Sequence, residues 1–305
     1  TTIFGLSGEI ILWLADLLTL KPNIVVLWIT ALFHITYMIM LFLLVYRKEV
    51  NIWFVVFLLS PPILLFAIYD PETSGKKEII LFFIFSIFIW LLEKKKLKSF
   101  FSNFLFSIFI MLGMMCHELI FFYTPYFVIA AYLKSKIDGT PFHLSKIVFL
   151  VLGPSLVLIT LYLFGKTLNT TEICSVLLEK GLSENICSGI LAWPQDFSIK
   201  DIIAYEINAR YHYNYGICLL LGIAPFACFI KSLKSPLATL KRFFIVFLLL
   251  FLFSFPLFIL AIDWGRWLNI HFMLLLLIST LLLKDNPSTS KFHYMKISFL
   301  IPDIW

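Results

Sequence analysis

Three clusters and one adjacent pair carry most of the ionisable side chains that could do chemistry in this chain. His117-Glu118 interrupts an otherwise uncharged apolar stretch, and an ionisable pair in such a setting is a functional hypothesis by default. A carboxylate against apolar walls has a raised pKa, the condition of a general base near neutrality, so Glu118 is the candidate base and His117 its neighbour. Asp263 and Arg266, three apart, share one face if helical, with Trp264 beside them and Gly265 leaving room for a ligand. The segment Asp70-Pro71-Glu72-Thr73-Ser74-Gly75-Lys76-Lys77-Glu78 opens an apolar helix with two lysines, a placement suited to holding a phosphate. Arg210-Tyr211-His212-Tyr213 adds a cation able to bind phosphate oxygens and rings able to stack on a sugar.

Each signal has a plainer reading. His117-Glu118 could be a wetted hairpin tip, Asp70 to Glu78 a solvated turn built on Pro71 and Gly75, and Trp264 and Trp267 an interfacial belt with Arg266 snorkelling. The tyrosines after Arg210 are ordinary interface residues. Cations on the face that topology disfavours weigh against the plainer reading for Lys76, Lys77 and Arg266.

The elements that must position these residues are membrane spans. Hydrophobic residues make up 61% of the 305, only 14% are charged, and the mean hydropathy is +0.97. No water-soluble domain sustains that composition. Hydrocarbon about 30 Å thick needs roughly 20 apolar residues per helical span. The apolar runs predict about nine spans at 22–46, 51–69, 79–93, 99–116, 119–133, 147–164, 211–230, 243–262 and 268–283. Runs such as Phe243 to Ile262, apolar on every side, exclude a β-barrel. The expected fold is therefore an all-α polytopic bundle, a single transmembrane domain over 1–305. It carries an amphipathic N-terminal segment at Thr1 to Leu20, interrupted by Glu9 and Asp16. A periplasmic loop insertion spans 165–210, long enough to expect that it folds. Thr1 is not a methionine and the chain stops in an apolar stretch, so terminal segments are expected beyond both ends.

Residues 99–133 are too long for one span and barely long enough for two. A hairpin with His117-Glu118 at its tip places most lysines and arginines on one, cytoplasmic, side. That side holds Arg47-Lys48, Lys94 to Lys98, Lys134 to Lys146, Lys231 to Arg242 and the tail after Lys284; all the unusual motifs fall on the other. The net charge of +6 then reports topology and does not imply nucleic acid. Cys174 and Cys187 both lie in the long loop, as a disulfide in an oxidising periplasm or as two thiols. No Gly-rich nucleotide loop, zinc spacing or nucleophile elbow is present. His34, His143, His271 and His293 offer no metal spacing.

The order of these features resembles the bacterial EpsG and Wzy-type proteins of exopolysaccharide and O-antigen synthesis, which are similar to GT-C glycosyltransferases. The likeness rests on the Glu9 segment, Gly75-Lys76-Lys77-Glu78 opening a helix, His117-Glu118 before Leu-Ile-Phe-Phe-Tyr-Thr-Pro, and the late Arg266. Lys-Lys-Glu stands where those proteins tend to have Arg-Gln, and Glu118 where a basic residue is usual. The resemblance implies a GT-C-like bundle in the bacterial inner membrane that acts at the periplasmic face on undecaprenyl-linked sugars. Glu118, His117, Asp263 and Asp70 are then the expected catalytic residues, with the histidine and aspartates orienting sugar hydroxyls or a divalent ion such as Mg or Mn. Lys76, Lys77, Glu78, Arg210, Arg266, Tyr211 and Trp264 are the expected residues for phosphate and substrate. A polytopic transporter or flippase of lipid-linked saccharide, a membrane acyltransferase using His117, and a subunit without chemistry are the rivals.

Overall fold

The structure, a computed structural model, describes residues 5–66, 77–97, 99–164, 170–181, 199–233, 240–260 and 263–286. Among these residues the protein is all-helical, without a strand. In chain order the helices are α1 (Gly5–Leu18), α2 (Pro22–Val45), α3 (Ile52–Leu58), α4 (Glu78–Glu93) and α5 (Phe100–Cys116). A 3₁₀ segment (Glu118–Tyr123) leads into α6 (Thr124–Ile137), and α7 (Leu144–Ile147) continues through a π segment (Val148–Leu152) into α8 (Gly153–Phe164). Then come α9 (Thr170–Glu179), α10 (Ile199–Asn208), α11 (Tyr211–Ser232), α12 (Leu240–Leu260) and α13 (Trp264–Thr280).

Among the described residues three helices are long and apolar enough to cross a membrane, Pro22–Val45, Tyr211–Ser232 and Lys241–Ile259, and Phe100–Cys116 and Val148–Phe164 are shorter apolar helices. Their outer faces are greasy: Leu27 and Trp28 on α2 and Leu248 and Leu249 on α12 are all more than half exposed, a surface suited to lipid. α13 is the opposite case, with every side chain from Trp267 to Thr280 buried. A helix apolar all round belongs at the centre of a bundle, and α13 packs there against α4 and α11.

The stretch expected to span at 51–69 is not one helix. α3 ends at Leu58, and a run of turns follows through Ser60, Pro61 and Pro62. Proline lacks the backbone donor and its ring clashes with the preceding turn, so two in succession stop the helix. The Pro62 carbonyl that this frees accepts a bond from Asn269 Nδ2 at 2.8 Å. Close packing makes the bend possible: a Cβ on Gly222 would lie 2.5 Å from Phe272 and 2.7 Å from Pro62.

Residues 99–133 form a hairpin. α5 ends at Cys116, His117 is extended, and the chain returns through the 3₁₀ segment and α6. Phe88 on α4 meets both legs, with ring centroids 4.9 Å from Phe106 and 5.1 Å from Phe127. Consequently the basic segments gather at one end of the bundle. Lys48 pairs with Glu93 at 2.6 Å and Asp285 at 3.0 Å, and Lys95 lies 3.9 Å from Asp138. The other end, called the far end below, holds the start of α4, the hairpin tip and the start of α13. The N-terminal helix is fastened there as well, with Ser7 Oγ donating to the Cys116 carbonyl at 3.3 Å. α9 joins it through the pair Lys180 and Asp16.

Candidate functional site

Glu78 is the first residue of α4, just ahead of the apolar stretch 79–93, and its side chain is only 7% exposed. Two cationic or polar side chains from distant stretches converge on its Oε1: His117 Nε2 at 3.3 Å and Arg266 Nε at 3.1 Å. The histidine donates a hydrogen bond. The arginine approaches as an ion pair whose N–H is not aligned on the oxygen. A second guanidinium nitrogen lies 3.1 Å from Asp263 Oδ2, so one arginine joins two carboxylates. Trp267 closes the other side, its ring 4.4 Å from the guanidinium carbon, in cation–π contact.

Local structure explains each placement. His117 can turn inward because it sits at the reversal of the hairpin, with φ −156° and ψ 99°, outside both helices. Asp263 and Arg266 face each other across the first turn of α13, the expected three-residue spacing. Burial pushes the Glu78 carboxyl up, but the His117 hydrogen bond and the Arg266 charge outweigh it and hold the group below the usual carboxylate range. Glu78 is thus a fixed anion at neutral pH.

The remaining expected residues divide. Lys77, exposed at the start of α4, lies within electrostatic reach of Cys116, the neighbour of His117. Glu118 is half-buried and makes no hydrogen bond or ion pair with the described residues; the carboxylate against His117 is Glu78. Arg210 is exposed in left-handed backbone at φ 57°, where it caps α11 and turns the chain out of α10, and it does not reach the cluster. Tyr211 lies in an aromatic group, 5.1 Å from Tyr215 and 6.3 Å from Trp264 between ring centroids. Asp70, Lys76 and Cys187 lie outside the described residues. Cys174 is disulfide-bonded, whereas Cys116, Cys218 and Cys228 are free thiols.

Among the described residues no group of three metal-ligating side chains comes together. Glu78 and Asp263 both face the Arg266 guanidinium, a donor set that does not fit a divalent cation between them.

Two groups of polar residues had not been singled out in the sequence. Deeper in the bundle Tyr126 is hydrogen-bonded to His271 Nδ1, and His271 Nε2 is 2.5 Å from Ser254 Oγ, all three buried. Ser254 also donates to the Phe251 carbonyl at 3.1 Å, so the assignment that satisfies every group has His271 Nε2–H donating to Ser254 and Tyr126 donating to Nδ1. Between this triad and the cluster stands Tyr123. Its ring is 5.5 Å from His271, its charge environment includes Glu78 and Arg266, and its buried hydroxyl has no hydrogen-bond partner among the described residues. Elsewhere, the buried Glu206 on α10 accepts a 2.7 Å bond from Trp264 Nε1. The signal for Glu206 was present: it shares a helical face with Ile203 and Ile207, an acid on an otherwise apolar stripe.

No family model, curated protein or solved structure matches the chain.

Proposed function

We propose that this chain is a membrane glycosyltransferase or polysaccharide polymerase of the EpsG and Wzy kind. It transfers sugar from a polyprenyl-(pyro)phosphate-linked donor at the periplasmic face of a bacterial inner membrane, in O-antigen, capsule or exopolysaccharide synthesis. The observation that supports this reading is the convergence of Glu78, His117, Asp263 and Arg266, from three distant stretches, at the end of the bundle opposite the lysine-rich loops. Lipid-facing helices would admit the polyprenyl chain. In the transfer the acceptor oxygen bonds to the anomeric carbon while the bond from that carbon to the phosphate oxygen breaks. Negative charge grows on the departing phosphate, so a fixed cation beside it lowers the barrier. Arg266 has five N–H donors, and Glu78 and Asp263 hold its plane in place, leaving donors to face a phosphate together with Lys77. Tyr211 and Trp264 offer rings to a sugar face. Glu118 and Glu206 are the nearby carboxylates not committed to Arg266.

Transport of the same lipid-linked saccharide is the second reading. One observation favours it: polar groups continue inward from the cluster through Tyr123 to Tyr126, His271 and Ser254.

Membranes carrying the wild-type chain, Arg266→Lys or Glu78→Gln, supplied with radiolabelled lipid-linked saccharide and resolved on gels, test the choice. Arg266→Lys keeps the charge and loses the planar fork. Both variants are expected to cut chain extension at least ~100-fold, the scale of losing one transition-state donor. Unchanged ladders in both would end the enzymatic reading, and labelled saccharide that crosses sealed vesicles without extension would favour transport.

A further inference from the structure

A cavity of about 240 Å³ lies where α10, α11, α12 and the start of α13 meet. Its walls are mostly the apolar side chains Ile203, Ile207, Phe255, Phe258 and Ile259, joined in the lining by Glu206, His212 and Trp264. Glu206 is 5% exposed, and its orientation is fixed by the Trp264 indole, whose N–H is shared between Glu206 Oε1 at 2.7 Å and the Phe258 carbonyl at 2.8 Å. Trp264 is two residues from Arg266 and next to Asp263, so the cavity adjoins the ion cluster through the first turn of α13. Rings of Tyr205, Tyr211 and Trp264 flank this end of α10 and α11.

We propose that this cavity receives a hydroxylated saccharide acceptor and that Glu206 takes the proton of its attacking hydroxyl. The inference rests on the transferase reading above and adds to it the acceptor's place and its base. A saccharide ring has an apolar C–H face and hydroxyl edges, which suits aromatic and aliphatic walls around one oriented carboxylate. The other carboxylates are less fitted to the task. Glu78 and Asp263 are bound to Arg266, and Glu118 makes no hydrogen bond or ion pair with the described residues. Among the described residues no cation pairs with Glu206: burial pushes its carboxyl up, opposed by the Trp264 N–H, the direction that favours a general base. In the step, the acceptor O–H proton passes to Glu206 and the acceptor oxygen bonds to the donor's anomeric carbon. The bond to phosphate breaks with its electron pair leaving on the polyprenyl (pyro)phosphate, and Glu206 then loses its proton to water.

The test compares wild type, Glu206→Gln and Glu206→Asp in membranes supplied with radiolabelled polyprenyl-diphosphate saccharide and a methyl glycoside acceptor. Glu206→Gln keeps an oxygen for the Trp264 bond, so the fold is retained; intrinsic fluorescence of the purified protein checks this. The expected result is a fall in kcat of ~100-fold or more, the usual contribution of a general base, with KM for the lipid donor unchanged and partial recovery in Glu206→Asp. A merely structural Glu206 would not set the pH profile. Trp264→Phe, which removes the one N–H that lowers Glu206, is expected to move the acid limb of the rate profile to higher pH. The other titratable group among the described lining residues is His212 from α11; α12 presents Phe255, Phe258 and Ile259, and α13 presents Trp264. His212→Gln should therefore leave that shift in place. Glu206→Gln turning over within threefold of wild type would overturn the assignment of the base while leaving the transferase standing. No product from wild-type membranes would overturn both.

Discussion

At Glu78 Oε1 a histidine and an arginine meet a carboxylate that burial would otherwise drive toward its neutral form. Because these partners depress its pKa, Glu78 contributes stability that is present above its ordinary value of 4.5 and lost as pH falls through the lower folded value. Thermal unfolding of the purified protein across acid pH is expected to show that loss in wild type and a flatter profile in Glu78→Gln. An identical acid limb in both would mean that the pair makes no net contribution. Removing Arg266 is a harsher change, since it leaves the buried Glu78 charge with only His117 against it among the described residues, at a cost of up to about 3–5 kcal/mol. The sequence made His117, Asp263 and Arg266 legible, because a charge in an apolar stretch stands out whatever the fold. Lysines beside Glu78 and the carboxylate beside His117 drew attention to Lys76, Lys77 and Glu118, whereas the contact that forms is Glu78 with His117, 39 positions apart. Periodicity along one helix carries no information about which turn of another helix it will face.

Between elements, the constraint is how closely α11, α13 and the turn after α3 approach. Gly222 has Phe272 on one side and Pro62 on the other, both within 3 Å of where a Cβ would stand. Gly222→Val is expected to lower stability by about 1–3 kcal/mol, the usual cost of forcing extra methyl groups into a packed core. Thermal unfolding in detergent measures it, and a variant as stable as wild type would show that α3 can move aside. The same region marks where sequence reading fell short. Pro61-Pro62 lies inside an apolar run, and hydropathy alone extends a span through it. Backbone chemistry ends the helix before it, and Asn269 repairs the freed carbonyl from a helix more than 200 positions away. The hairpin at His117 was legible by contrast, because only a reversal there puts the lysine-rich loops together. The triad of Tyr126, His271 and Ser254 was not legible, since each residue alone reads as ordinary core.

Over the whole molecule, charge is sorted between two ends. Lys48, Glu93, Asp285, Lys95 and Asp138 meet at one, and Glu78, His117, Asp263 and Arg266 at the other, with α13 buried between them. If the bundle spans a membrane with these ends at opposite faces, a reaction at the cluster would be open to one compartment only. Single cysteines introduced at Lys77, Asp263, Lys95 and Lys136, in a background with Cys116, Cys218 and Cys228 replaced by alanine, can be challenged in intact cells with a membrane-impermeant maleimide. Positions 77 and 263 are predicted to react together from outside, and positions 95 and 136 only after the membrane is opened. Labelling of 77 and 263 from different sides, or of 77 and 95 from the same side, would contradict the common site on which the proposed chemistry depends.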